Sequence, residues 1–232
     1  MKHFLLAHEA RGGTLNSIKQ AACALRFAGC YFGVVGLALS TLGVASAEEA
    51  PPRNEVGLTL GGLFSNEKNG GATRLVLGSG VAFQANYGYR IFGNDKAALY
   101  GEVHLLANPL RDVGSSTQTL TRDVATLFVT PGIRVKFFPT RRIAPYFAVG
   151  GGWADYEQST TTLAGNRNPA PRTVNRGAFD YGGGVDFKFL RFVGLRGEIR
   201  DFYTGSPAYN APAMSGGQHN VVAGGGLVLK FR

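Results

Sequence analysis

The sequence predicts an all-β fold: an eight-stranded antiparallel transmembrane up-and-down β-barrel, preceded by a cleavable signal segment. Three observations predict it. Beyond residue 53 the apolar residues recur with period two rather than 3.6, the mark of strands with one apolar side. Short and long connections alternate along the chain. Charged residues are only 17% of the chain, below the ~25% of typical soluble proteins, while aromatics reach 11% and glycines number 34.

Residues 1–47 read as a signal peptide. Lys19 and Arg26 precede the apolar run Phe27–Ala47, which ends in Ala45-Ser46-Ala47, a small-x-small cleavage pattern on Ala45 and Ala47. Residues 48–54 form a short periplasmic lead, and 55–232 form the barrel. Both cysteines, Cys23 and Cys30, lie in the signal segment, so the exported chain is expected to hold together without disulfides. Removing Lys2, Arg11, Lys19, Arg26 and Glu9 leaves 20 of 24 bases and 14 of 15 acids. A net charge of +6, spread without a Lys/Arg block, gives no sign of nucleic-acid binding.

Eight alternating runs follow, at about 55–64, 78–92, 97–107, 124–138, 144–156, 177–189, 193–204 and 219–232. Each is long enough to cross a bilayer as a tilted strand, which takes about 9–11 residues. Short turns are expected at Gly93–Lys96, Thr140–Arg142 and around Arg191; long connections are expected at 65–77, 108–123, 157–176 and 205–218. Tight turns on one side and long loops on the other are the layout of an outer-membrane barrel. Pro131 has no N–H for the ladder, so a bulge or an earlier strand end is expected there.

The two faces differ in chemistry. Val81, Phe83, Tyr87, Leu99, Val103, Phe147, Trp153, Phe179, Tyr181 and Val185 are expected to face lipid. An interior polar network is expected from Arg90, Glu102, His104, Arg134, Lys136, Asp186, Lys188, Arg196, Glu198 and Arg200, with Gln84, Asn86, Tyr100 and Asp180 on the same side. Charges of both signs on one strand face fit a polar lumen with lipid outside. Tyr89, Phe137, Phe187, Phe189 and Phe231 mark one interfacial girdle; Phe64, Trp153, Phe179 and Tyr203 mark the other. In Leu195–Tyr203, Asp201 breaks the apolar face. The triplets Gly150–Gly152, Gly182–Gly184 and Gly224–Gly226 lack the Lys-Ser/Thr of a phosphate loop and read as sites of curvature and close approach.

On these strands, the turn rhythm and the final strand, residues 53–232 resemble the OmpA/OmpX-like family of small outer-membrane β-barrels. The last strand is similar to that family's signal for the barrel-assembly machinery, with Gly226, Leu229 and Phe231 at the glycine, hydrophobic and aromatic positions. It departs from that pattern at Gly224, where a polar residue is common, and in ending on Arg232.

An eight-stranded barrel has room for side chains and little else. The expected function therefore lies in the outer loops: adhesion, partner binding or envelope integrity. The expected partners are outer-membrane lipid and lipopolysaccharide, the assembly machinery and an extracellular partner, with the chain a monomer. Arg111, Arg122, Arg167, Arg172 and Arg176 are candidates for lipopolysaccharide phosphates. Two alternatives remain open: a lipid-modifying enzyme of the lipid A deacylase or acyltransferase kind, and a narrow channel. No catalytic, cofactor or metal site is assigned. No serine shares a face with Glu102, His104 or His219, and His3 and His8 fall in the signal segment.

Overall fold

The computed structural model describes residues 52–70, 73–207, 209–210 and 216–232. The cleavage pattern at Ala45 and Ala47, and most of the 48–54 lead, lie outside these residues. The described strands, in chain order, are β1 (Asn54–Ser65), β2 (Lys68–Gly70), β3 (Thr73–Leu77), β4 (Gly80–Gly93), β5 (Ala97–Ser115), β6 (Asp123–Phe137), β7 (Ile143–Gln158), β8 (Thr173–Lys188), β9 (Val193–Thr204) and β10 (Gln218–Phe231). β1 and β4 through β10 make a closed antiparallel barrel of eight strands.

Closure rests on the pairing of the first and last strands. β1 and β10 run side by side from Asn54 opposite Phe231 to Ser65 opposite Asn220. The seam leaves neither strand with an open edge, which a lipid environment does not tolerate. Gly226 pairs with Thr59, Leu229 with Val56 and Phe231 with Asn54.

The pleat sends alternate residues in and out. Along β9, Gly194, Arg196, Glu198, Arg200, Phe202 and Thr204 are buried, while Leu195, Ile199 and Tyr203 are exposed. In a soluble sandwich the buried set would be the apolar one; here the arginines are inside and the isoleucine outside. The expected lipid-facing residues follow the same rule, from Val81, Phe83 and Tyr87 on β4 to Phe147 and Trp153 on β7.

Three departures have local causes. First, the connection 65–77 carries β2 and β3, a small hairpin that pairs with an extension of β5 running to Ser115. The alternation in Thr73–Leu77 is too short to tell from loop by period alone. Second, Pro131 neither bulges nor ends its strand: β6 runs on to Phe137. Pro131 still lies opposite Val103 of β5, and the β6–β7 register is the same at Val129–Trp153 and Gly132–Gly150, on either side of it. By that register Pro131 faces Gly151, within the two-residue gap of the β6–β7 ladder, and a side chain on Gly152 would collide with the Val129 carbonyl. Third, β5 bulges against β6 between Asn108 and Arg111. Pro109 and Leu110 together stand opposite the single Ala125, one residue more than the ladder needs, so the inward phase passes from Asn108 to Arg111 and Val113.

Candidate functional site: the barrel interior and its outer mouth

Glu55 organises the interior near the short-turn end. Its carboxylate accepts from Lys136 Nζ at 2.7 and 2.5 Å, from Arg134 Nη2 at 3.0 Å and from the Tyr100 hydroxyl at 3.2 Å. Lys136 also meets Asp186 at 2.6 Å, and Arg196 holds Asp186 with two parallel bonds, Nε at 2.7 Å and Nη2 at 2.9 Å. The planar fork of Arg196 matches the carboxylate on both oxygens. Arg134 reaches on to Glu102 at 3.0 Å. Arg200 donates to Glu102, and to Asp180 at 2.7 Å, and lies 3.2 Å from Glu198. Glu198 accepts from the Tyr146 hydroxyl at 2.5 Å. Arg134 and Arg196 also lie over the Tyr146 ring, at 5.4 and 4.8 Å from its centroid.

The sequence makes room for this cluster by placing glycine inward on neighbouring strands. A Cβ on Gly57 would stand 2.6 Å from Asn86 Oδ1 and 2.8 Å from Arg196 Nη1; one on Gly184 would stand 2.6 Å from the Tyr146 hydroxyl. The glycine triplets thus serve partly as sockets for large polar side chains. Buried charges require this pairing, because each ion loses several kcal/mol of hydration.

Above the charges the lumen turns apolar. His104 is fully buried; its Nε2 lies 3.1 Å from Gln84 Oε1, and its ring is 5.5 Å from that of Phe202. Phe202 packs on Phe128 at 5.1 Å, and Phe128 meets Tyr156 edge-on at 6.0 Å. Leu63, Leu106, Ala154 and Val222 complete this layer.

A third layer lies at the outer mouth. Arg111, buried by the β5 bulge, donates to Ser65 Oγ at 2.5 Å. Tyr156 shares a 2.7 Å bond with Thr204, and Tyr209 meets Tyr156 edge-on at 6.2 Å. Tyr209 sits at φ 41° and Asn210 at φ 69°, a left-handed pair that turns the Tyr209 ring into the barrel. Burial pushes the Tyr209 hydroxyl well above the ordinary tyrosine range. Leu120 descends from the β5–β6 connection and is also fully buried. The connections are stitched together over this layer: Leu163 N–H bonds Leu120 O at 2.9 Å, Ala164 N–H bonds Gln118 O at 3.1 Å, and Asn210 Nδ2 bonds Asn168 Oδ1 at 2.9 Å. Lys68 in β2 donates to the Gly216 carbonyl at 3.0 Å, and burial holds its ammonium below the ordinary lysine range.

Of the residues expected inside, Glu102, His104, Arg134, Lys136, Asp186, Arg196, Glu198 and Arg200 share one buried cluster. Arg90 and Lys188 do not join it. Arg90 is half-buried where β4 bulges against β5, and Lys188 is exposed at the last position of β8. Both hold the inward phase of their strands but stand at the rim, where long cations keep their heads in water. Arg111 is the third correction: expected on a loop facing lipopolysaccharide, it is inside. The remaining loop arginines divide. Arg122 and Arg167 are exposed, Arg172 pairs with Glu157, and Arg176 donates to the Ser206 and Asn175 carbonyls at 2.9 Å each.

Sequence reasoning missed Glu55, Asn220 and Tyr209. Glu55 stands at the very start of β1, where alternation is weakest, although its phase against Val56, Leu58 and Leu60 marks it as inward. Asp201, the break in the outer face, is explained by its neighbours. Its Oδ2 lies 2.6 Å from His219 Nδ1 and accepts from the Tyr181 hydroxyl at 2.9 Å, and its Oδ1 takes the Asn220 N–H at 3.2 Å. Three donors satisfy a carboxylate that would otherwise be costly beside lipid.

A family model described as outer membrane protein beta-barrel domain matches residues 32–227. No curated protein matches the sequence. Among solved structures, the chain is similar to Neisserial surface protein A (NspA), at 14% identity, covering 79% of this chain and 100% of that one with a TM-score of 0.49. It is also similar to the outer membrane protein OprG from Pseudomonas aeruginosa, at 13% identity, 81% and 100% coverage and a TM-score of 0.48. A third is Ail, the attachment invasion locus protein of Yersinia pestis, in complex with the heparin analogue sucrose octasulfate, at 13% identity, 76% and 99% coverage and a TM-score of 0.42.

Proposed function

Since this chain belongs to the outer membrane protein beta-barrel domain family, we propose that it works as a closed barrel which displays its outer loops, in adhesion, partner binding or envelope integrity. Membership of that family makes it an outer-membrane protein. The observation that carries the proposal is the stacking of three buried layers: the charge cluster around Glu55, the apolar layer of Phe128 and Phe202, and the mouth layer under Tyr209 and Leu120. The hydrogen bonds joining 118–122 to 161–164, and Asn168 to Asn210, make the loops a defined outer surface. In this reading the strands are a mount and the loops are the working part.

Replacing residues 163–171 with a short Gly-Ser link tests it. The variant is expected to fold, judged by the different gel migration of boiled and unboiled protein, while cells carrying it lose the surface adherence or detergent resistance conferred by the parent. A folded variant that keeps the parent's full surface phenotype would overturn the proposal.

One observation favours the narrow channel as a second reading. Asn86 Nδ2, Glu198 Oε1 and Thr126 Oγ1 are buried polar atoms with no protein partner, spaced along the lumen. They would suit a thread of water. The lipid-modifying enzyme finds less support: His219 has an acid, Asp201, but that acid is already held by Tyr181 and the Asn220 N–H. An unchanged lipid A acylation pattern in cells with and without the protein would remove that option.

A further inference from the structure

Arg111, in the mouth layer, is a buried cation to which the barrel gives no acid. It is 1% exposed, and a guanidinium keeps its proton in a protein. Its Nη1 donates to Ser65 Oγ at 2.5 Å and its Nη2 to Asn220 Oδ1 at 3.4 Å, both neutral, while its Nε is buried with no acceptor. Among the described residues no carboxylate lies within ion-pair distance of it; the titratable groups that act on it are the Tyr156 and Tyr209 hydroxyls. The acids at this height, Asp112, Asp123, Asp155 and Glu157, hold the outward phase of β5, β6 and β7. The acids of the charge cluster lie beyond the apolar layer of Phe128 and Phe202. Residues 71–72, 208 and 211–215, outside the described set, contain no Asp or Glu. Lys68, the other buried cation of the mouth, has only the Gly216 carbonyl as its acceptor among the described residues.

Donors also outnumber acceptors around Arg111. Asn220 Oδ1 already takes the Ser65 hydroxyl at 2.8 Å and Gln218 Nε2 at 3.0 Å. Thr126, opposite Asn108 on β5 and Tyr156 on β7, has a buried hydroxyl with no partner. The other unpartnered atoms here, Asn108 Oδ1 and Gln158 Oε1, are amide oxygens, which accept a hydrogen bond but do not cancel a charge. An uncompensated buried ion costs several kcal/mol. Yet the chain makes room for this one: a Cβ on Gly80 would stand 2.6 Å from Arg111 Cγ. We infer that the outer mouth is a binding site for a small monovalent anion of chloride size, held on the Arg111 guanidinium with the Thr126 hydroxyl as a further donor. The size follows from the cover. Tyr209 and Leu120 are fully buried in this layer, and the connections 118–122 and 161–164 are bonded to each other over it. A lipid headgroup or a sugar would have to unseat them. The inference does not depend on whether the lumen conducts.

Thermal unfolding tests it. The folded full chain in detergent is heated in sodium gluconate, with chloride substituted in steps at constant ionic strength, and the heat-modified gel band gives the midpoint. An anion that binds only the folded barrel raises that midpoint by mass action. The parent is expected to gain roughly 5–10 °C at a hundredfold excess of chloride over its dissociation constant. R111Q is expected to gain nothing, and the control R122Q, exposed in the same connection, to gain as much as the parent. If R111Q does not fold, chloride NMR on the parent decides. Folded protein is expected to broaden the chloride line beyond what heat-unfolded protein does, and added bromide to reverse the broadening. A parent midpoint indifferent to chloride would overturn the inference. So would an R111Q variant that keeps the parent's response, or a chloride line equally sharp over folded and unfolded protein, the result expected if water alone solvates Arg111.

Discussion

Replacing Glu55 by alanine is expected to destabilise the folded barrel by about 3–5 kcal/mol, the range for removing one partner of a buried charge pair. Glu55 is the common acceptor for Lys136, Arg134 and Tyr100, and Arg196 lies 3.8 Å away. Its loss leaves three buried cations with fewer carboxylates than they need. The substitution E55Q keeps the shape and removes the charge, so it separates lost packing from lost compensation; both variants should fall well below the parent. Urea titration of the vesicle-folded protein, followed by the heat-modified gel band, measures the change. The variant K188A, exposed at the rim, is expected to stay within about 0.5 kcal/mol of the parent. A loss below about 1 kcal/mol for both Glu55 variants would mean that water already compensates the cluster.

If the lumen is closed as proposed, the double substitution F128A/F202A is expected to open it to ions. The two rings, 5.1 Å apart, are fully buried between the charge cluster and the mouth layer. An apolar constriction excludes water, and ions do not enter it without water. Truncating both rings joins the polar layers on either side. Each truncation removes buried contacts and costs about 3–5 kcal/mol, so recordings are made only on protein that still shows the folded gel band. Steady steps at either polarity are the expected outcome. Silence from the folded double variant would place the block elsewhere, at Tyr209 and Leu120 or within the charges themselves.

Much of this architecture is legible in the sequence, because a transmembrane barrel writes its faces in alternating residues. Arg196, Glu198 and Arg200 against Leu195, Ile199 and Tyr203 give the inside and outside of β9 directly. The alternation fails where the backbone departs from the pleat. A bulge at Pro109 and Leu110 adds one residue to β5, so Arg111 changes sides without a local signal strong enough to announce it. Arg90 and Lys188 keep the right phase but lie at the rim, and phase carries no information about depth. Tyr209 is beyond any periodic argument: its inward turn depends on a left-handed backbone pair in a long connection. Glu55 was within reach, yet a single acid at a strand start gives no hint that four other strands send side chains toward it.

In the proposed function, three stacked layers close the lumen. Planar-bilayer recording of the parent chain, folded and free of contaminating porin, tests it most directly. The layered interior predicts no ion steps above baseline at either polarity. A steady single-channel step in the parent, enlarged or abolished by E198A or R196A, would contradict it and leave the narrow channel as the reading of this barrel.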